Sequence, residues 1–211
     1  MTEALKCIKV GIDYDGVIVK KPSSWDLPRR ASKVALPTIP GVIEGINFLR
    51  SQQDVDVIGV YTARTKWLRK WQTERDVNKR SIPIEKITYS TNSSKKKIAE
   101  LLIDALAEED PSGLTDEYIP RTDVRRVVLI DDSIDEVVGA ARQLAQEHPE
   151  FRKLLPFFTL IAFNPKQSEK LQEINIPDVI HVISMQSWED VSKMLEEVRS
   201  IGRDPTSFAD G

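Results

Sequence analysis

The sequence predicts an α/β protein built on a doubly wound parallel sheet. Short apolar runs alternate with longer amphipathic segments along the whole chain, the pattern of strand–helix–strand units. The runs at 55–60 and 127–130 are nearly uninterrupted, as strands buried on both faces require. Several runs also end in polar or acidic residues, where an open parallel sheet presents its ligand-binding edge.

The first strand is expected over 7–12, with Cys7 as a small core residue, and Asp13-Tyr14-Asp15-Gly16-Val17 follows it directly. Residues 18–38 have no convincing period and contain Pro22, Pro28 and Pro37, which suits a flap or minimal lid over the acidic turn. Pro40-Gly41 signals the start of a helix over 41–51. A strand over 55–61 then ends in Thr62-Ala63-Arg64. The next helix, 66–78, carries Trp67 and Trp71 four residues apart, the spacing of an inward-facing pair. After a strand at 86–89 and a polar loop, a helix over 95–107 turns Ile98, Leu101, Leu102 and Ala105 to the core. The acidic, turn-rich stretch 108–123 reads as a surface loop. Beyond it come strand 127–130, helix 134–147, strand 157–163, a short helix at 168–173, strand 179–183 and a helix over 188–201 entered at Ser187. A single domain over 1–203 followed by a frayed tail over 204–211 is expected.

Composition narrows the function. The 211 residues suit one core, and a formal charge of −3 gives no global argument for binding nucleic acid or an acidic membrane. A single cysteine excludes an internal disulfide, and His148 and His181 neighbour no other candidate ligand. No apolar stretch approaches the ~20 residues of a membrane span, and the N-terminus has no signal-peptide core. A cytoplasmic setting is the default expectation.

The chemistry lies at the strand ends. Asp13 and Asp15 follow the first strand, Thr62-Ala63-Arg64 the second, and Asp131-Asp132 the strand at 127–130. Lys95-Lys96-Lys97 opens a helix beyond the third strand. Each motif has a plain reading of its own: Asp131-Asp132 could cap a helix, and Thr62 could merely end a strand. Their conjunction in one order along the chain is much less ordinary. The set resembles the haloacid-dehalogenase-like (HAD-like) hydrolase superfamily in its phosphatase branch. Asp13-Tyr14-Asp15-Gly16-Val17 is similar to its first motif, 57–62 to its second, the lysines to its third and 128–132 to its fourth.

The resemblance implies a Rossmann-like core and a magnesium-dependent phosphomonoesterase working through an aspartyl-phosphate. In that scheme Asp13 is the nucleophile and Asp15, with Gly16 in support, the acid and base. Thr62, Ala63 and a lysine bind phosphate, and Asp13, the Asp15 backbone carbonyl and Asp132 hold Mg2+. Asp131 and Arg64 support. Lys95, three residues before Ile98, is the expected lysine, and Lys96 the second choice.

The gaps between the motifs hold no full cap domain, which implies an open site for a phosphorylated small molecule or a larger phosphoester. Thr62-Ala63-Arg64 is similar to the second motif of pyrimidine-type 5′-nucleotidases, which tilts the substrate towards a nucleotide. The basic, tryptophan-bearing segment 64–71 leaves nucleic acid as a less supported partner. Competing readings are a phosphate-binding regulatory module without turnover, and a phosphatase of nucleic-acid ends or phosphoproteins.

Overall fold

In a computed structural model, residues 7–21, 36–64, 67–90, 93–106, 124–163 and 180–201 are described. Six strands form one parallel sheet: β1 (Ile8–Ile12), β2 (Val55–Thr62), β3 (Ile87–Tyr89), β4 (Arg126–Asp131), β5 (Phe158–Phe163) and β6 (His181–Met185). Their spatial order is β3-β2-β1-β4-β5-β6. The chain thus builds outward from β1 on one side, then crosses back to start β4 on the other. In open α/β sheets such a reversal marks the strand ends beyond which ligands bind, here those of β1 and β4.

The helices are α1 (Val42–Ser51), α2 (Trp67–Lys79), α3 (Ser94–Leu106), α4 (Ile134–Glu147), α5 (Pro149–Arg152) and α6 (Val191–Ser200). Every residue of β1, β4 and β5 is buried, so their side chains feed two apolar layers alternately. Val128 and Ile130 pack with Val42 and Leu49 of α1, Val77 of α2 and Leu195 of α6. Val127 and Leu129 face the other way, onto Ile98 and Leu102 of α3 and Val137 and Ala141 of α4. Helices cover both faces, as the apolar runs require. Among the described residues no helix is long and apolar enough to cross a membrane.

Two expectations shift. The last strand begins at His181 rather than 179, because its pairing with β5 runs from Thr159↔His181 to Phe163↔Met185. Trp71 does not face the core and is 47% exposed under the guanidinium of Arg75. The buried face of α2 is instead Thr73, Asp76 and Val77, about 200° around the helix from Trp71 for Thr73. The 108–123 loop, the 168–173 helix and the 204–211 tail lie outside the described residues, as does most of the flap.

The root of the flap is described. After β1, the N–H groups of Ile18 and Val19 both donate to the Tyr14 carbonyl, at 3.1 Å each, closing one tight turn. Val19 then pairs antiparallel with Thr38, and the Lys20 N–H donates to the Pro37 carbonyl at 2.9 Å. Trp188, fully enclosed, donates its indole N–H to the Val17 carbonyl at 3.0 Å. The start of the last helical segment thereby pins the turn that follows the first acid motif.

Gly11 sets how closely α3 approaches the sheet. A Cβ there would lie 2.8 Å from Leu101 Cδ1 and 2.9 Å from the Tyr61 ring. Gly11→Ala is therefore expected to destabilise the protein by about 1–3 kcal/mol through overpacking. Gly139, inside α4 with nothing within 4 Å of such a Cβ, is the control. Gly139→Ala should gain about 0.5–1 kcal/mol from helix propensity. Urea denaturation of the two variants gives both signs.

Candidate functional site

Strand register brings the acids together. Ile12 lies beside Ile130 across the β1–β4 ladder, and the Asp13 N–H donates to the Ile130 carbonyl at 2.8 Å. Asp13 and Asp131 therefore leave neighbouring strand ends side by side. One carboxylate oxygen from each of Asp13, Asp131 and Asp132 lies within 4.8 Å of the others. Gly16 makes room for the third acid: it adopts φ +90°, and a Cβ there would stand 2.2 Å from Asp132 Oδ2.

The lysine of this cluster is Lys97. Its Nζ donates to Asp13 Oδ1 at 2.9 Å and to Asp131 Oδ2 at 2.8 Å, with the side chain almost fully buried. Asp131 Oδ1 accepts the Ser133 N–H at 2.8 Å, which fixes the acid from the other side. This corrects the expectation of Lys95, whose Nζ instead pairs with Glu147 at 2.7 Å. Lys96 is exposed, its N–H 3.4 Å from Ser93 Oγ. The helix starts at Ser94, so Lys97 joins the buried stripe of Ser94, Ile98, Leu101 and Ala105. Leu101, packed against Gly11, sits one turn behind it.

Asp15 is held elsewhere. Arg64 grips it with both arms, Nε to Oδ2 at 2.7 Å and Nη2 to Oδ1 at 2.5 Å. The guanidinium is buried, bonds Thr73 Oγ1 at 3.2 Å through Nη1, and lies 4.6 Å from the centre of the Tyr14 ring. Tyr14, the residue between the two aspartates, is thus the floor on which Arg64 rests. Thr62 ends β2 fully buried, with the Arg64 N–H 3.4 Å from its Oγ1, and Ala63 is exposed. Since Ile12 pairs with Val60, Thr62 stands at the strand end flanking the first acid motif.

A second lysine, absent from the sequence expectation, completes the charges. Lys21, at the flap root, places Nζ 3.0 and 3.2 Å from the two Asp132 oxygens and 3.3 Å from Ser133 Oγ. Among the described residues, four carboxyl groups, Asp13, Asp15, Asp131 and Asp132, thus face three cationic side chains, Lys97, Arg64 and Lys21.

Burial, followed by the charge of Asp131, pushes the Asp13 carboxyl up to about 8, with Lys97 pulling the other way. Burial alone would lower Lys97, but Asp13 and Asp131 more than compensate and hold it above its ordinary value, so it stays cationic. Among the described residues, four ionised acids would outnumber the three cations by one, and the raised Asp13 carboxyl relieves that excess by keeping its proton. Oxygens around one magnesium-sized cation at ~2.1 Å stand roughly 3–4 Å apart. Three hard carboxylate donors within 4.8 Å of one another fit such an ion with slight closing-in. The Asp15 side chain belongs to Arg64 rather than to this cluster, which leaves its backbone carbonyl as the donor the resemblance would use.

The chain matches no family model, no curated protein and no solved structure.

Lys97→Met should leave Asp13 and Asp131 buried without their cation and cost about 3–5 kcal/mol. Lys95→Met removes an exposed pair and should leave the urea midpoint close to the parent's. Equal urea midpoints for the two variants would remove Lys97 from the centre of the site.

Proposed function

We propose that the protein is a magnesium-dependent phosphomonoesterase of HAD-like type that works through an aspartyl-phosphate. One observation carries this reading: Asp13, Asp131 and Asp132 converge with Lys97 at the carboxyl ends of adjacent strands on either side of the order switch. An ordinary helix cap would have no reason to bury a lysine between two of these acids.

Asp13 attacks phosphorus through the oxygen that Lys97 does not hold, and the bond to the leaving oxygen breaks. Asp15 gives its proton to that oxygen, then takes one from the water that displaces phosphate from Asp13. Asp15 accepts two N–H bonds from Arg64, so it must release one of them and take up a proton from solvent before it acts as the acid. Thr62 and the backbone at Ala63 bind phosphoryl oxygens, while Lys97 orients Asp13 and offsets charge that develops in the transferring group. Asp13, the Asp15 carbonyl and Asp132 would hold Mg2+, with Asp131 beside them. When bound, the cation relieves repulsion between the Asp13 carboxylate and an anionic phosphoryl group.

A nucleotide is the favoured small substrate, on the likeness of Thr62-Ala63-Arg64 to pyrimidine-type 5′-nucleotidases. Trp71 on the helix that follows is half-exposed with Arg75 over one face of its ring, which leaves the outer face as a surface for base stacking. The reading of a phosphate-binding module without turnover draws on the full engagement of Asp15 by Arg64.

The test is a phosphatase screen over nucleotides, sugar phosphates, phosphopeptides and phosphorylated nucleic-acid ends, with magnesium and with chelator. Chelation should abolish turnover, and Asp13→Asn should lower it by at least about 10³-fold while the fold is retained. Asp132→Ala should raise the magnesium needed for half-maximal rate about 10–100-fold. Parental rates in Asp13→Asn would show the nucleophile to be misassigned. Phosphate binding without hydrolysis of any substrate would favour the regulatory module.

A further inference from the structure

Two ammonium groups occupy the acidic cluster, and they are held very differently. Lys97 rises from a helix packed on the sheet, and its side chain is 6% exposed. Lys21 reaches in from the flap root with a side chain 59% exposed. Lys97 bonds Asp13 and Asp131, whereas Lys21 lies against both oxygens of Asp132.

We infer that Lys21 is an exchangeable internal cation, which neutralises Asp132 in the metal-free protein and which a divalent cation must displace in order to bind. This rests on the proposed reading that the cluster holds magnesium, and adds to it the competitor that sets the affinity. With Nζ 3.0 Å from Asp132 Oδ2, a metal bound to that oxygen would lie no farther than about 5 Å from the ammonium. Like charges at that distance repel. Lys21 can leave because its exposed ammonium exchanges a carboxylate for water. Lys97, buried between two acids, has no such exit. Asp132 sits against the backbone of Gly16, so it changes partner and keeps its place.

The tether is local. Val19 and Lys20 are fixed by pairing with Thr38 and Pro37, which leaves Lys21 the first residue beyond the paired root. Lys20 is exposed and carries the same charge one position earlier. Removing Lys20 therefore reproduces the change in net charge and leaves the Lys21 contact in place.

The experiment measures Mn2+ binding to the full chain from the free-ion electron paramagnetic resonance signal, at fixed pH and ionic strength. Mn2+ is the probe because it shares the octahedral oxygen preference of magnesium. Lys21→Met should bind Mn2+ at least about fivefold more tightly than the parent, by removing the competitor for Asp132. Lys21→Arg and Lys20→Met should each stay within about twofold of the parent, since the first keeps the cation and the second leaves it in place. Unchanged or weaker binding by Lys21→Met overturns the proposal, as does equal tightening by Lys20→Met. Equal Mn2+ binding by the parent and Lys21→Met sinks this inference and spares the metal reading. Failure of every protein to bind Mn2+ sinks both.

Discussion

Burying an ammonium group away from water costs several kcal/mol unless carboxylates are already waiting for it. At Lys97 two of them are, on neighbouring strands, and the rest of the site is arranged around that meeting. The pairing ties α3 to the ends of β1 and β4 at once. It fixes one oxygen of Asp13 and one of Asp131, so the two acids can stand side by side where mutual repulsion would otherwise part them. Asp132 lies beyond this lysine's two bonds and is met instead by Lys21 from the flap root. Carboxylates and ammonium groups thus alternate beyond the ends of β1 and β4, at the switch in strand order.

Two glycines make the arrangement geometrically possible, by different means. Gly11 lets Leu101 settle onto the sheet, and one turn earlier on the same helix face Lys97 arrives at Asp13. Gly16 turns the chain with a positive φ and vacates the volume that Asp132 occupies. Trp188 closes the other side of the turn through its bond to the Val17 carbonyl. The acid motif is therefore held by packing from three remote parts of the chain: α3, the β4–α4 connection and the segment before α6. That is the support a preorganised site needs, because a loop alone would not hold carboxylates against their own repulsion.

Much of the fold was legible because the central strands are buried on both faces. Such strands read as apolar runs: β4 does so from Val127 to Ile130, and β1 and β2 are broken only by Lys9 and Asp56, which pair with each other. Helix α4 was legible to the residue, since its apolar stripe is sharp and its first turn is acidic. Strand ends then located Asp13, Asp131 and Asp132 without knowledge of any contact. The lysine was harder. Three identical residues in a row carry no period of their own, and only the start of α3 at Ser94 decides among them. Extending the stripe of Leu101 and Ala105 back by four residues reaches Lys97, so the signal was present but outweighed by the spacing from Ile98. Trp71 misled for the opposite reason: the true inward face of α2 is partly polar, with Thr73 bonded to Arg64 and Asp76 buried beside it. A hydrophobic pattern cannot show a helix face that is buried against a charged network. The short α5 was too brief to show any period.

The two remaining cations divide the labour that one lysine cannot perform. Arg64 is rigid: its planar fork matches both oxygens of Asp15, Thr73 holds a third nitrogen, and Tyr14 lies beneath it. Lys21 is loose, a flexible stem ending in a compact charge at the solvent edge. A fork suits a carboxylate held in one orientation by two bonds. A point charge on a long stem suits a position that another cation takes over. The three cations differ as their burial differs: Lys97 is enclosed between Asp13 and Asp131, Arg64 is locked on Asp15, and Lys21 meets Asp132 from the solvent edge.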